Sequence, residues 1–101
     1  MKRSIPAGYE AVAAVLDDAL SQAAAGKGLD RHAAPGQPFG EQPMAAITAM
    51  VGVGFPLGQA MKKAQEAGRM AERGEAGRAR SEILGAIMYL AGAALALGVA
   101  E

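Results

Sequence analysis

Residues 26–43, GKGLDRHAAPGQPFGEQP, interrupt a chain that is otherwise rich in helix-forming alanine. This segment contains three of the five prolines, four of the fourteen glycines and the only histidine. Each proline removes a backbone donor and biases the preceding residue towards extended geometry. The segment therefore predicts a long loop, which we expect to be ordered because Phe39 can pack against the helices. Connections of this length in compact domains are usually functional or disordered.

The residues before this loop predict one helix over residues 6–25. Pro6 suits a first helical turn, and Gly26 suits the position just after a helix end. Between them, apolar residues recur at three- and four-residue spacing, the pattern of a buried helix face. The residues of this face are Tyr9, Val12, Ala13, Leu16, Leu20 and Ala23.

Three further helices are predicted after the loop, over residues 44–51, 56–73 and 78–99. We expect the last two to form an antiparallel hairpin because their connection is short. No strand pattern or internal repeat is present, so the predicted class is all-α, a single small helical bundle over residues 1–101. The expected core residues are Met44, Ile47, Met50 and Val51, then Leu57, Ala60, Met61, Ala64, Ala67, Gly68 and Ala71, then Ile83, Leu84, Ile87, Leu90, Ala91, Ala94 and Leu95.

The amino-acid composition limits the kinds of molecule that the chain is expected to bind. Ten basic residues balance ten acidic ones, which argues against binding to duplex nucleic acid because that requires a basic face. The absence of cysteine excludes disulfides and thiolate metal sites and favours a cytoplasmic protein. Alanine buries little surface, so each helix gains only modest hydrophobic stabilisation. We therefore expect the chain to form a homo-oligomer.

The C-terminal residues raise the question of a membrane anchor. Residues 83–100 are eighteen uncharged positions, which is long enough for a spanning helix. Only seven of them are Leu, Ile or Val, whereas nine are Gly or Ala, which contribute little to membrane insertion. We expect a helix packed inside an oligomer, with a tail anchor as the alternative.

Lys27, Arg31 and His32 fall within six residues of the loop and form the first candidate site. The guanidinium fork of arginine suits phosphate or carboxylate, and histidine can donate from either ring nitrogen. Together the three side chains predict a site for a phosphorylated ligand. The alternative is a set of cations that complement the dipole at the C-terminal end of the first helix.

Phe39 and Gln42 form the second candidate site, because an aromatic ring beside an amide suits a stacked base with its edge hydrogen-bonded. The alternative is an apolar anchor with solvated polar neighbours. Lys62, Lys63 and Arg69 could add positive charge to the phosphate site from the same or a second subunit.

Residues 57–95 contain Glu66 and the run EILGAIMYL over residues 82–90, and here the chain resembles the MazG-like all-α nucleoside triphosphate pyrophosphatases. The resemblance implies a Mg²⁺ site with Glu66 and Glu82 as ligands. Ala86, however, stands where that family has an aspartate, and alanine offers Mg²⁺ no oxygen ligand. We therefore expect no cofactor, with Mg²⁺ as the alternative.

The pattern of residues 26–95 also resembles small helical proteins of phages and prophages of high-GC bacteria. That resemblance implies an accessory role in the host cytoplasm, for example as an anti-defence sponge that sequesters a nucleotide signal. The leading hypothesis is thus a non-catalytic binding protein for a phosphate-bearing nucleotide. The alternatives are a divergent Mg²⁺-dependent nucleotide pyrophosphatase and a module that inhibits a protein partner.

Overall fold

The computed structural model describes residues 4–25 and 37–98, and every regular element in these ranges is helical, which confirms the all-α class for them. A short 3-10 helix, Phe39–Glu41, precedes the second α-helix. The predicted loop residues 26–36, including Lys27, Arg31 and His32, lie outside the described residues. The four α-helices are α1 (Glu10–Ala25), α2 (Pro43–Val51), α3 (Gly54–Glu72) and α4 (Ala76–Leu97).

The first helix begins at Glu10, four residues later than the sequence predicted. Gly8 adopts a φ of +88°, a left-handed conformation that interrupts a helix and that glycine reaches without steric cost. Pro6 consequently belongs to a turn, in which its carbonyl accepts a hydrogen bond of 3.1 Å from the Tyr9 N–H. The Gly8 N–H donates to the Glu10 carboxylate at 3.0 Å and fixes the entry to α1.

The later helices begin and end close to the predicted positions. α3 begins two residues early, at Gly54, because Pro56 fits within the first helical turn, where its missing N–H is no loss. α4 also begins two residues early, at Ala76, and ends at Leu97 because Gly98 has a φ of +81°. The predicted end at residue 99 lies outside the described residues.

α4 is the central helix, because it contacts each of the other three α-helices and packs most extensively against α3. The buried side chains at these contacts are mainly alanines, so the helices approach closely but each buries little apolar area. The buried residues of the described ranges include Ala19, Ala60, Ala67, Ala79, Leu84, Ala86 and Ala93, together with Pro56, Thr48 and Gly92.

α3 and α4 are joined by a short turn at Arg73–Glu75 and touch at pairs of residues that lie progressively farther from it. Lys63 meets Glu82 nearer the turn, with 3.3 Å between their charged atoms. Phe55 meets Tyr89 farther away, with ring centroids 6.2 Å apart and the rings at 84°. Such an edge-to-face contact is the favoured geometry for two aromatic rings.

Much of the predicted core is exposed, which corrects the sequence interpretation. Along α1 the predicted face points to solvent, and Ala19 instead is the buried residue. α3 buries one flank of its predicted face, at Ala60 and Ala67, while the remainder of that face stays accessible. The exposed residues of the predicted core are Tyr9, Val12, Leu16, Leu20, Ile47, Met50, Val51, Leu57, Met61, Ala64, Gly68, Ala71, Ile83, Leu90, Ala91, Ala94 and Leu95.

Candidate functional site

Phe39 lies in the 3-10 helix, and its half-buried ring packs beside α4. A Cβ placed on Gly92 of α4 would lie 3.8 Å from Cε2 of Phe39 and 3.0 Å from Cε of Met44. Gly92 thus leaves room for both side chains. This contact favours the alternative of an apolar anchor, and base stacking by Phe39 stays a prediction.

Gln42 connects the 3-10 helix to α2. The side-chain amide of Gln42 donates a 3.1 Å hydrogen bond to the backbone carbonyl of Gln37. The backbone carbonyl of Gln42 accepts a 2.9 Å hydrogen bond from the N–H of Ala45. The amide predicted to read a base edge therefore stabilises the local backbone.

An apolar groove of about 460 Å³ lies between the 3-10 helix, α2 and the end of α4. Its walls include Phe39, Met44, Gly92 and Leu95. Thr48 also lines it, but its hydroxyl donates to the Met44 carbonyl at 2.7 Å, so that polar group is already paired. The described residues of the lining carry no charged side chain, which suits an apolar group better than a phosphate.

Lys63, predicted to bind phosphate, is committed to contacts between α3 and α4. Its ammonium pairs with Glu82 at 3.3 Å and lies 6.0 Å from the centroid of the Tyr89 ring. Its stem covers Gly85, where an added Cβ would approach Cδ of Lys63 to 3.2 Å. Its side chain is 23% exposed, so an incoming phosphate would have to break this pairing.

Lys62 and Arg69 are exposed on α3, in agreement with a role in contacting a charged partner. They lie seven residues apart, so they share one side of the helix with about 10 Å between them along its axis. Glu66, half-buried, lies between them on the same side. This side of α3 therefore offers two accessible cations to an anion.

The residues implied for Mg²⁺ do not fit a metal site. The Glu82 carboxylate already faces the Lys63 ammonium, which would repel a divalent cation at the same oxygens. Ala86 is buried and supplies no ligand. The described residues near Glu82 thus favour an ion pair over octahedral coordination by oxygen.

A second charged cluster, which the sequence analysis did not single out, lies at the turn between α3 and α4. Glu75 accepts hydrogen bonds from Arg73 and, at 3.1 Å, from Arg78. The hydrogen bond from Arg73 is the main reason that the pKa of Glu75 lies below its ordinary value, and the charges of Arg73 and Arg78 lower it further. The cluster is exposed and caps the turn.

α4 is long and apolar enough to cross a membrane by length and composition alone. Only 17% of its most apolar eighteen-residue window is buried in the single chain. The first turns of the helix carry Arg80, paired with Asp18 at 2.8 Å, and Glu82. The same test is passed by helices that are buried in the cores of soluble proteins, so it is weak support for an anchor.

Comparison of the chain with protein-family models, with curated proteins and with solved structures finds no match.

Proposed function

We propose that this chain is a non-catalytic binding protein that works as a homo-oligomer in the cytoplasm, with the α3–α4 antiparallel hairpin as the centre of each subunit. The observation that carries the proposal is the exposure of large apolar side chains on several helices. Tyr9 just before α1 is 60% exposed, Met61 on α3 is 72% exposed and Leu90 on α4 is 49% exposed. Exposed apolar side chains that recur along one side of a helix, as they do on α1 and α3, form the kind of patch that marks an interaction site on a soluble protein.

The pairing of Lys63 with Glu82 supports a binding function over hydrolysis. A pyrophosphatase needs carboxylates that are free to hold Mg²⁺ and activate water. The Glu82 carboxylate instead stabilises the contact between α3 and α4. We accordingly expect no Mg²⁺-dependent release of pyrophosphate from nucleoside triphosphates, and turnover abolished by Glu82→Gln would overturn the proposal.

The proposed ligand is a phosphate-bearing nucleotide or nucleotide-derived signal, which a phage-type sponge would sequester unchanged. Lys27, Arg31 and His32 would hold its anionic part. Phe39 and Gln42 have structural contacts of their own, so we do not assign the base to them. Support for the accessory cations comes from the exposure of Lys62 and Arg69 on α3.

Native mass spectrometry of freshly purified protein, followed by calorimetry with mono-, di- and cyclic nucleotides, tests both parts of this proposal. We expect a single oligomeric species and binding of one class of nucleotide. Arg31→Ala should weaken that binding at least tenfold, because a charge-assisted hydrogen bond is worth about 1.5–3 kcal/mol. Unchanged affinity would exclude the assignment of the phosphate to Arg31.

A protein partner is the second candidate function, and the apolar groove beside Phe39 favours it. The groove has the size of a small-molecule site, and the residues between 37 and 98 that line it include no charged group, so it suits an apolar side chain. An inhibitor of this type would show no binding across the nucleotide panel. It would retain one host protein in a pull-down, and a groove variant such as Ala49→Trp should abolish that retention.

A further inference from the structure

Tyr9 and the apolar residues that follow it on α1 form one stripe, which we name the α1 seam and define as Tyr9, Val12, Leu16, Leu20 and Ala23. They recur at three- and four-residue spacing, so they share one side of the helix. The first four are between 51% and 60% exposed, although α1 packs on α4 through the neighbouring Ala19. Ala23 is half-buried, so the seam is accessible from Tyr9 to Leu20.

α3 carries a similar stripe, which we name the α3 seam and define as Leu57, Met61, Ala64, Gly68 and Ala71. The spacing alternates between four and three residues, which is the repeat of helices that pack side by side over a long contact. Every residue of the seam is exposed. A Cβ placed on Gly68 would meet no atom within 4 Å, so the space in front of the seam is open.

We infer that the α1 seam of one chain packs antiparallel against the α3 seam of a second copy. This inference rests on the proposed homo-oligomer and identifies its interface. Within one chain both helices pack on α4, and the described residues leave the α3 seam and the first four residues of the α1 seam exposed, so both are accessible to a second copy.

Side-chain size supports the antiparallel direction. In the antiparallel alignment that we propose, a residue of the α1 seam faces the residue of the α3 seam for which the two residue numbers add up to about 80. The bulky half of α1 then meets the small half of α3, and Ala23 near the end of α1 meets Leu57. A large residue thus faces a small one in four of the five pairs, the exception being Leu20 with Met61, and such alternation favours close packing. The facing pairs are Tyr9 with Ala71, Val12 with Gly68, Leu16 with Ala64, Leu20 with Met61 and Ala23 with Leu57.

Charge supports the same direction and the same register. Glu10 and Asp17 lie seven residues apart on α1, and Lys62 and Arg69 lie seven residues apart on α3. Viewed along each helix from its N-terminus, the charged pair lies about 100–140° around the helix axis from the seam, and the direction of rotation is the same for both helices. Two facing helices bring such flanks to the same side only when they are antiparallel. Glu10 then faces Arg69, and Asp17 faces Lys62.

A two-fold dimer contains this contact twice, because each chain offers both seams. A standard stable interface buries about 1,600 Å² in total, which two such contacts approach more closely than one. In this dimer Lys62 and Arg69 pair with carboxylates of the second copy, so they no longer serve as accessory cations for the ligand, and the loop cations alone hold its anionic part. The predicted assembly is thus held by apolar packing, with acidic and basic flanks that select the direction.

Disulfide trapping tests the register directly, because the chain contains no cysteine of its own. Leu16→Cys protein, labelled with ¹⁵N, is mixed with unlabelled Ala64→Cys protein and oxidised, and mixed dimers are identified by mass. In a matched control, the Ala14→Cys protein takes the place of the Leu16→Cys protein, because Ala14 is exposed on another side of α1. We expect at least fivefold more mixed dimer than in the control, and equal yields would overturn the inference.

Gly68→Leu tests the same contact without oxidation. The substitution meets open space in the single chain but fills the position that should receive Val12. We expect self-association, measured by sedimentation velocity, to weaken at least tenfold. Gly77→Leu, at another exposed glycine with no neighbour within 4 Å, should leave association unchanged. If the Gly68→Leu protein associates as strongly as the wild-type protein, the seam assignment is wrong but the proposed oligomeric function stands. If the wild-type protein is a monomer, both are wrong.

Discussion

Lys63 on α3 and Glu82 on α4 form an ion pair across the two helices, with 3.3 Å between Nζ and Oε1. The two side chains are 23% and 25% exposed, so solvent screens the pair only in part. The Lys63 ammonium also lies 6.0 Å from the centroid of the Tyr89 ring. Two residues that the sequence suggested for phosphate and for metal therefore stabilise the contact between α3 and α4.

A double-mutant cycle on this pair should reveal a modest coupling. Lys63→Met keeps most of the apolar stem that covers Gly85, and Glu82→Gln removes only the charge. We expect a coupling of about 0.5–1 kcal/mol in the free energy of unfolding, because partly exposed ion pairs contribute little more. Urea denaturation measures it. Gln65→Met, at an exposed position of α3, serves as the control and should change stability by less than about 0.5 kcal/mol.

Replacing Phe39 by alanine should lower the stability of the folded chain in the absence of any nucleotide. The half-buried ring packs beside Gly92, and its loss should cost about 1–3 kcal/mol, less than a fully buried phenylalanine. Chemical denaturation of Phe39→Ala measures this loss. Glu41→Ala, exposed in the same 3-10 helix, is the matched control. Unchanged stability together with lost nucleotide affinity would restore the base-stacking hypothesis.

Replacing each of two exposed glycines by alanine should change the stability of the fold in opposite directions. Gly58 lies inside α3 with no atom within 4 Å of an added Cβ, so Gly58→Ala should stabilise the chain by about 0.5–1 kcal/mol. Gly74 has a φ of +77°, which an L side chain adopts at a cost of roughly 1–2 kcal/mol. Gly74→Ala should therefore destabilise it. Thermal unfolding of both variants checks the prediction, and a shift in the same direction for both would contradict it.

The helical class could be predicted from the spacing of apolar residues and from the positions of proline and glycine. Pro43 begins α2, and glycines follow the ends of α2 and α4. The start of α1 could not be predicted, because the choice between a helix and a turn at Pro6 depends on the positive φ of Gly8. Local sequence does not determine that conformation.

The direction in which each helix faces could not be predicted either. In α3 the apolar stripe and the buried side diverge, because the buried Ala60 and Ala67 share a side of the helix with Lys63, which pairs with Glu82 of α4. From sequence alone a lysine is assigned to the surface, although its long apolar stem can pack against a neighbouring helix while its charged end stays accessible. The apolar repeat at Leu57 and Met61 was visible, but only the structure shows that it is exposed.

The titration of Glu75 offers a test of the charged cluster at the turn. The hydrogen bond from Arg73 is the largest cause of the lowered pKa of Glu75, and the charges of Arg73 and Arg78 act in the same direction. A carboxylate with a lowered pKa stabilises the fold above its unfolded-state pKa, and this contribution is lost as the pH falls through the folded-state value. NMR titration of the Glu75 carboxyl carbon should accordingly give a midpoint below that of an unfolded chain.

Substitutions of the neighbouring arginines should separate the causes of that shift. Arg73→Gln should raise the Glu75 midpoint more than Arg78→Gln, because Arg73 donates two hydrogen bonds to this carboxylate, which are the largest cause of the lowered pKa, whereas Arg78 donates one. Arg80→Gln is the control: this guanidinium pairs with Asp18, so the Glu75 midpoint should stay where it is in the wild-type chain. Equal midpoints in the wild-type, Arg73→Gln and Arg78→Gln proteins would mean that the turn is not held by this cluster in solution.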